Sequence, residues 1–252
     1  MKIYNQLQDN IARKGAAYLI LIDPDKLSTN KIEQFVQHCE TTGVDGFLVG
    51  GSLMIDGDLK DTIAKIKNSC SLPVITFPGS VEQITPNADA LLYISLISGR
   101  NADQIIGKHV LAAPYIKKIG IEPISTGYLL IESGGTTTAE YISNSKPIPR
   151  NKPEIAASTA LAAQYLGMKF IYLEAGSGAE LSVPNDMVKM VSSYCSVPVI
   201  VGGGIKDANT AREKVQSGAK IIVTGNYFED ENNWSKIKEF ADAVHIKKPR
   251  EV

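Results

Sequence analysis

The chain has 252 residues, 44% hydrophobic and 21% charged, with a formal net charge of −1. That length suits one (β/α)8 domain with a large core, and the near-neutral balance gives no electrostatic case for nucleic acid as a partner. Cys39, Cys70 and Cys195 show no metal-type spacing and fit a reducing, cytoplasmic setting, while no signal-type stretch and no apolar run near the roughly 20 residues of a membrane span is found.

Apolar recurrence at Ile3, Leu7 and Ile11 predicts an amphipathic helix over 3–14, ended by Gly15 and placed to plug the bottom of a barrel. The run AYLILID over 17–23 reads as a buried parallel strand that stops at an acid and at Pro24. Ser28, Thr29 and Asn30 offer N-caps for a helix through Cys39. A second strand over 45–50 ends in Gly50-Gly51-Ser52, a helix follows over 59–68, and a third strand spans 73–77. The segment from Pro78 to Asn87 is only ten residues long, barely enough for a crossover helix. A short turn over 81–84 or a strand-like linker is expected there. The third barrel helix is then reduced or replaced, and a cleft opens on that side.

The fourth strand takes 89–95, and SGRN at 98–101 leads into a helix to about Lys118, with Pro114 marking a kink or break. The fifth strand is expected over 126–131. Residues 133–152 are polar and rich in Thr, Asn and Pro, the composition of a lid or binding loop. A helix over 153–166, a strand over 170–174 feeding AGSGA, a helix over 185–194 and a strand over 198–201 follow. A helix over 208–217, a strand over 220–223 and a helix over 233–244 finish the alternation, and the charged tail at 246–252 is expected to fray. No linker divides the chain, so 1–252 reads as a single α/β domain, a modified (β/α)8 barrel.

In such barrels functional groups collect at the carboxyl ends of strands. Two glycine stretches there, VGGGIKD at 201–207 and VTGN at 223–226, let the backbone approach an anion and turn N–H groups toward it. Together they suggest a phosphate cradle after the last two strands. Asp23 ends an apolar run, where a carboxylate is costly unless something positive meets it. Mg2+ would do so, with Ser52 at the adjacent strand end as a second oxygen; alternatively, Asp23 caps the turn before Pro24. Asp25 and Lys26 are expected to face solvent or pair locally. Glu174 sits among glycines and suits proton acceptance from an alcohol, or else satisfies N–H groups of the AGSGA turn. His38, His109 and His245 all fall in helices and are expected to be surface or core filler, so no Ser/His/Asp triad is indicated.

Eight segments taken together resemble the geranylgeranylglyceryl phosphate synthase family, prenyltransferases on a modified (β/α)8 barrel. They are LIDPDK (21–26), FLVGGS (47–52), LLYISLISGRN (91–101), YLLIESGGTTT (128–138), SNSKPIPR (143–150), YLEAGSGA (172–179), VGGGIKD (201–207) and VTGNYFED (223–230). The resemblance implies alkylation of the primary hydroxyl of sn-glycerol 1-phosphate by a long-chain prenyl diphosphate, with release of diphosphate. It implies that Asp23 and Ser52 hold Mg2+ and that Tyr172, Leu173, Glu174, Ala175, Gly176, Ser177, Gly178, Gly203, Gly204, Gly225 and Asn226 hold glycerol 1-phosphate. Glu174 would hold the glycerol hydroxyls and favour loss of the proton. Smaller bacterial relatives carry a lysine two residues before the first-strand acid; Leu21 stands there, as in the archaeal-type branch, which includes some bacterial members. By the same resemblance the protein is a homo-oligomer. Tyr93, Tyr128 and Tyr141 are candidates to line a groove for the hydrocarbon, against ordinary packing. The competing readings are another phosphate-binding barrel, such as a sugar-phosphate isomerase, and a non-catalytic barrel that binds a phosphorylated ligand or flavin.

Overall fold

A computed structural model describes residues 1–27 and 30–246. Eight parallel strands close into a barrel in chain order, β1 (Ala17–Ile22), β2 (Gly46–Val49), β3 (Val74–Thr76), β4 (Ala90–Leu96), β5 (Glu122–Leu130), β6 (Phe170–Glu174), β7 (Val199–Gly202) and β8 (Ile221–Thr224), with β8 pairing back on β1. Apolar β-branched runs make these strands because both faces are buried, one against the barrel axis and one against helices. Inward residues such as Leu19, Leu48, Leu92, Phe170, Tyr172 and Val223 fill the interior. Their neighbours in sequence, among them Ile20, Val49, Leu91 and Leu173, pack outward beneath the helices.

Helix α1 (Lys2–Lys14) closes the bottom of the barrel as its periodicity predicts, with Ile3 and Leu7 joining the interior cluster. Its first N–H groups find an acceptor across the barrel: Glu122 on β5 receives Ile3 N at 2.9 Å and Tyr4 N at 3.1 Å, which meets both the unpaired donors and the positive end of the helix. Asp45, just before β2, ties the same end together. Its carboxylate accepts Lys14 Nζ at 2.6 Å, Tyr18 N at 2.8 Å and His245 Nε2 at 2.8 Å.

The crossover helices are α2 (Ile32–Thr42), α3 (Leu59–Ser69), α4 (Lys108–Ile119), α6 (Pro153–Tyr165), α7 (Asn185–Tyr194), α8 (Ala208–Gln216) and α9 (Ile237–Val244), with the short α5 (Thr138–Ser143) inserted after β5. Between β3 and β4 there is only a 3-10 turn, Val81–Gln83. The reduced third helix is therefore observed, and the short spacing with its prolines is the reason.

Several boundaries differ from expectation. Ser28 and Thr29 lie outside the described residues, and α2 begins after Lys31, which makes no side-chain cap. Strand β5 starts at Glu122, four residues early, because Pro123 sits opposite Leu91 in the β4 ladder instead of interrupting it. The break near Pro114 is displaced: α4 runs through the proline, and the irregularity is a π-turn over Asp103–Gly107. The last helix begins as a 3-10 segment over Glu231–Lys236. Within the 133–152 loop, α5 is capped by Thr137 Oγ1, which accepts Glu140 N at 3.2 Å, and Ile131 bridges Ile148. Residues 247–252 of the predicted tail lie outside the described residues. Among the described residues no helix is long and apolar enough to cross a membrane.

Candidate active site

The carboxyl ends of the strands surround a cavity of about 640 Å3, within the ordinary range for a small-molecule site. One end is acidic. Asp23 follows β1 and lines the cavity with Gly51 and Ser52 at the end of β2; its Oδ1 accepts Asp25 N at 3.1 Å, so the turn before Pro24 is also capped as anticipated. Gln83, which no sequence motif marks, and Asp25 shape this end. Gln83, from the turn that replaces the third helix, donates Nε2 to Gly51 O at 2.9 Å and accepts Gly79 N at 3.1 Å. Asp25 does not simply face solvent: it accepts Ile55 N at 2.8 Å, Asp56 N at 3.0 Å and Gly57 N, drawing the loop after Ser52 onto the end of β1. These N–H groups, Ile55 first, hold its carboxyl below the usual aspartate value. The LIDPDK motif marked the segment, but not a bond across some thirty residues.

Among the described residues no group of three or more His, Cys, Asp or Glu side chains could enclose a metal ion. The two expected ligands there, Asp23 and Ser52, are one carboxylate and one hydroxyl. That set is too sparse for a closed cage and suits Mg2+, which keeps waters and takes substrate phosphate oxygens to complete its shell.

Glu174 occupies the middle. It is 5% exposed, and its Oε1 accepts Gly176 N at 2.6 Å. Burial pushes its carboxyl up to about 7, with the Gly176 N–H opposing that rise. The neighbouring glycines are required by space. A Cβ on Gly203, where φ is +81°, would lie 2.4 Å from Glu174 Oε1, and one on Gly202 would lie 2.4 Å from the Tyr172 hydroxyl. That hydroxyl is buried beside Glu174 and, after the Gly176 N–H, also opposes the rise of the Glu174 carboxyl.

Beyond Glu174 lies the glycine cradle. Ser177, Gly178, Gly203, Gly204, Gly225 and Asn226 all line the cavity, and Ser177 Oγ donates to Asn226 Oδ1 at 2.5 Å, joining the loops after β6 and β8. Three expected site residues are placed differently. The side chains of Leu173 and Ala175 pack outward in the helix-facing core, because alternate residues of a strand point to opposite faces. Gly176 serves Glu174 through its N–H.

The opposite arm is apolar. Phe77 stacks on Tyr172 with ring centroids 5.3 Å apart and planes 4° from parallel, and Tyr128 meets both rings edge-on at 5.8 and 5.2 Å. Past these rings the cavity runs outward between the 3-10 turn and α4, along Val81, Ile84, Leu91, Tyr93, His109 and Ala112. This is the expected cleft. Tyr93 and Tyr128 line it; Tyr141 is 79% exposed and is not among the lining residues. His109 is a correction to the filler expectation. It lines the cavity, its Nε2 lies 3.0 Å from Ser95 Oγ, and its ring meets Tyr93 edge-on at 4.6 Å. Burial lowers its pKa, which favours the neutral imidazole.

With this geometry in view, residues 9–244 match the PcrB family model. The chain belongs to the PcrB family. A geranylgeranylglyceryl phosphate synthase of Chitinophaga pinensis is 48% identical over 98% of this chain and 98% of its own. Among solved structures, a wild-type GGGPS from Thermoplasma volcanium superposes with a TM-score of 0.90 at 36% identity, covering 97% of this chain and 98% of that one. The (S)-3-O-geranylgeranylglyceryl phosphate synthase from Thermoplasma acidophilum, in complex with substrate sn-glycerol-1-phosphate, gives 0.88 at 33% identity, covering 95% and 98%. These PcrB family relatives bear out the resemblance and the modified (β/α)8 fold that the segments at 21–26, 172–179 and 201–207 imply.

Proposed function

We propose that this protein transfers a geranylgeranyl-type group from a prenyl diphosphate to the primary hydroxyl of sn-glycerol 1-phosphate, releasing diphosphate and forming an ether-lipid precursor. The observation that carries the reading is that one cavity gathers an acidic end, Glu174, a glycine cradle and an apolar arm. The N–H groups around Gly203, Gly204, Gly225 and Asn226 hold the phosphate of the acceptor. Glu174 holds the glycerol hydroxyls, and its carboxylate receives the proton of the primary hydroxyl as the oxygen bonds to the allylic carbon. The carbon–oxygen bond to diphosphate breaks, and its electron pair leaves with the diphosphate. Asp23 and Ser52 would hold Mg2+, which would supply charge neutralisation on that leaving group. The apolar arm holds the hydrocarbon and aligns the allylic carbon with the acceptor oxygen.

Incubation with Mg2+, glycerol 1-phosphate and a series of labelled prenyl diphosphates is expected to yield an acid-stable lipid ether; no ether from any chain length overturns the reading. Asp23→Asn is expected to lower turnover at least about tenfold, as loss of a charge-assisted contact does, with an unchanged melting curve. Near-normal turnover would remove Asp23 from the metal site.

The free cysteines support a reducing compartment, the cytoplasm. A homo-oligomer is supported by Ile106, Val110, Leu111 and Tyr115, exposed together along the π-turn and α4. Light scattering is expected to give a mass at least twice the 27.2 kDa chain, and Leu111→Glu to reduce it; a monomer at all concentrations would exclude assembly.

A further inference from the structure

The acidic end of the cavity holds a cation with no assigned role. Lys26 lies on the turn after β1, where its backbone N–H donates to Asp23 O at 3.0 Å, so its main chain is fixed. Its ammonium stands between two carboxylates, 3.7 Å from Asp23 Oδ2 and 3.6 Å from Glu229 Oε1. Both distances exceed those of a formed N–H···O hydrogen bond. The ammonium is therefore attracted by both acids while keeping donors free. Its side chain is 40% exposed and lines the cavity.

Glu229 extends this contact toward the other end of the site. It follows the 3-10 turn Asn226–Phe228 and lines the cavity beside Asn226. Burial raises its pKa, while Lys26 and the Asn226 side chain oppose the rise. Asn226 accepts Ser177 Oγ. A polar chain thus runs Asp23, Lys26, Glu229, Asn226, Ser177, from the acidic end to the phosphate cradle.

We infer that Lys26 contacts the departing diphosphate directly, with Glu229 holding its ammonium at the seam between the diphosphate and glycerol phosphate subsites. This deepens the proposed prenyl transfer and rests on it. The charge balance demands such a group. A diphosphate at neutral pH carries more negative charge than one divalent cation neutralises, and Asp23 adds another negative charge to the same end. Lys26 carries its charge on a flexible stem, so with a cation held at Asp23 its ammonium would be free to turn toward the diphosphate oxygens. As the allylic carbon–oxygen bond breaks, negative charge collects on the leaving oxygens, and donors already in place stabilise it without reorganising. No proton needs to move from Lys26.

The test compares the wild-type chain with Lys26→Met and Lys26→Arg. Inorganic pyrophosphate binding is measured by calorimetry with saturating Mg2+, alongside steady-state kinetics. Lys26→Met is expected to raise the pyrophosphate Kd roughly tenfold or more, as loss of a charged hydrogen bond does. Its KM for glycerol 1-phosphate is expected to stay within about twofold, because the phosphate cradle is built from other residues. Lys26→Arg keeps the charge and recovers part of the affinity. The exposed side chain packs in no core, so the melting temperature should hold. An unchanged pyrophosphate Kd in Lys26→Met overturns the inference, whatever happens to turnover. So does an equal loss in the methionine and arginine variants. If the wild-type chain itself neither binds pyrophosphate nor makes the ether, the failure lies with the prenyl-transfer reading.

Discussion

Replacing Glu174 by glutamine is expected to lower kcat on the order of a hundredfold or more, the usual contribution of a general base, while making the protein more stable near pH 8. Both effects have one cause. The carboxyl is buried at the end of β6 and pushed up to about 7 from an ordinary 4.5. Below pH 4.5 it is protonated in the folded and unfolded chains alike. Between 4.5 and 7 the unfolded chain loses that proton first, so the folded state is progressively disfavoured as pH rises, by on the order of 3 kcal/mol once both are ionised. Glutamine removes that penalty. Melting curves of the two proteins should therefore separate at pH 8 and converge near pH 4. The wild-type rate should climb as pH rises through about 7, and the variant should lack that limb. A variant with near-normal turnover, or one that melts far below wild type at pH 8, would show Glu174 to be structural.

Asp45→Ala is expected to produce the largest loss of stability. The Asp45 side chain is nearly inaccessible and is the shared acceptor for Lys14, Tyr18 and His245. Burial pushes its carboxyl up, but the bonds from His245 and Lys14 outweigh that and hold it below the ordinary aspartate value. Its stabilising contribution is present above that value and is lost as pH falls through the lowered one. Removing one partner of a buried ionic group costs about 3–5 kcal/mol, which lowers the melting temperature by roughly 10 °C in a chain of this size. Thermal unfolding at pH 7 reads this directly, and a shift of only a degree or two would show that α1 and the C-terminal helix are held without Asp45. Turnover of the folded fraction should change little, since Asp45 lies at the opposite end of the barrel from Glu174.

The strands were legible because a barrel strand is a short apolar run with both faces buried, and such runs admit few other readings. The missing helix was legible from arithmetic, since the segment between Pro78 and Asn87 is too short. The errors share another origin. Strand β5 extends back through Pro123, which sits opposite Leu91 in the β4 ladder, a pairing fixed by closure of the sheet. His109 looks like any helical histidine until the barrel fixes which face of α4 meets the cavity. Asp25 and Gln83 act across loops, on Ile55 and Gly51, and no local period reports a contact made by chain closure. Within the site, the glycines at 202–204 and the acids at 23 and 174 were readable because strand ends are where chemistry collects. That Leu173 and Ala175 turn outward follows from strand alternation; resemblance carried the whole stretch 172–178 as one block.

The 3-10 turn over Val81–Gln83 leaves the outer wall of β4 short of a covering layer. A hydrocarbon lying there meets Leu91, Tyr93 and Ala112 where helix side chains would otherwise pack. On the proposed reading, such a ligand would act as a removable part of the hydrophobic core, each buried methylene contributing about 0.8 kcal/mol. Recognition of the tail and cohesion of the fold become the same free energy, so chain loading should tighten this flank of the barrel, and product departure should loosen it again.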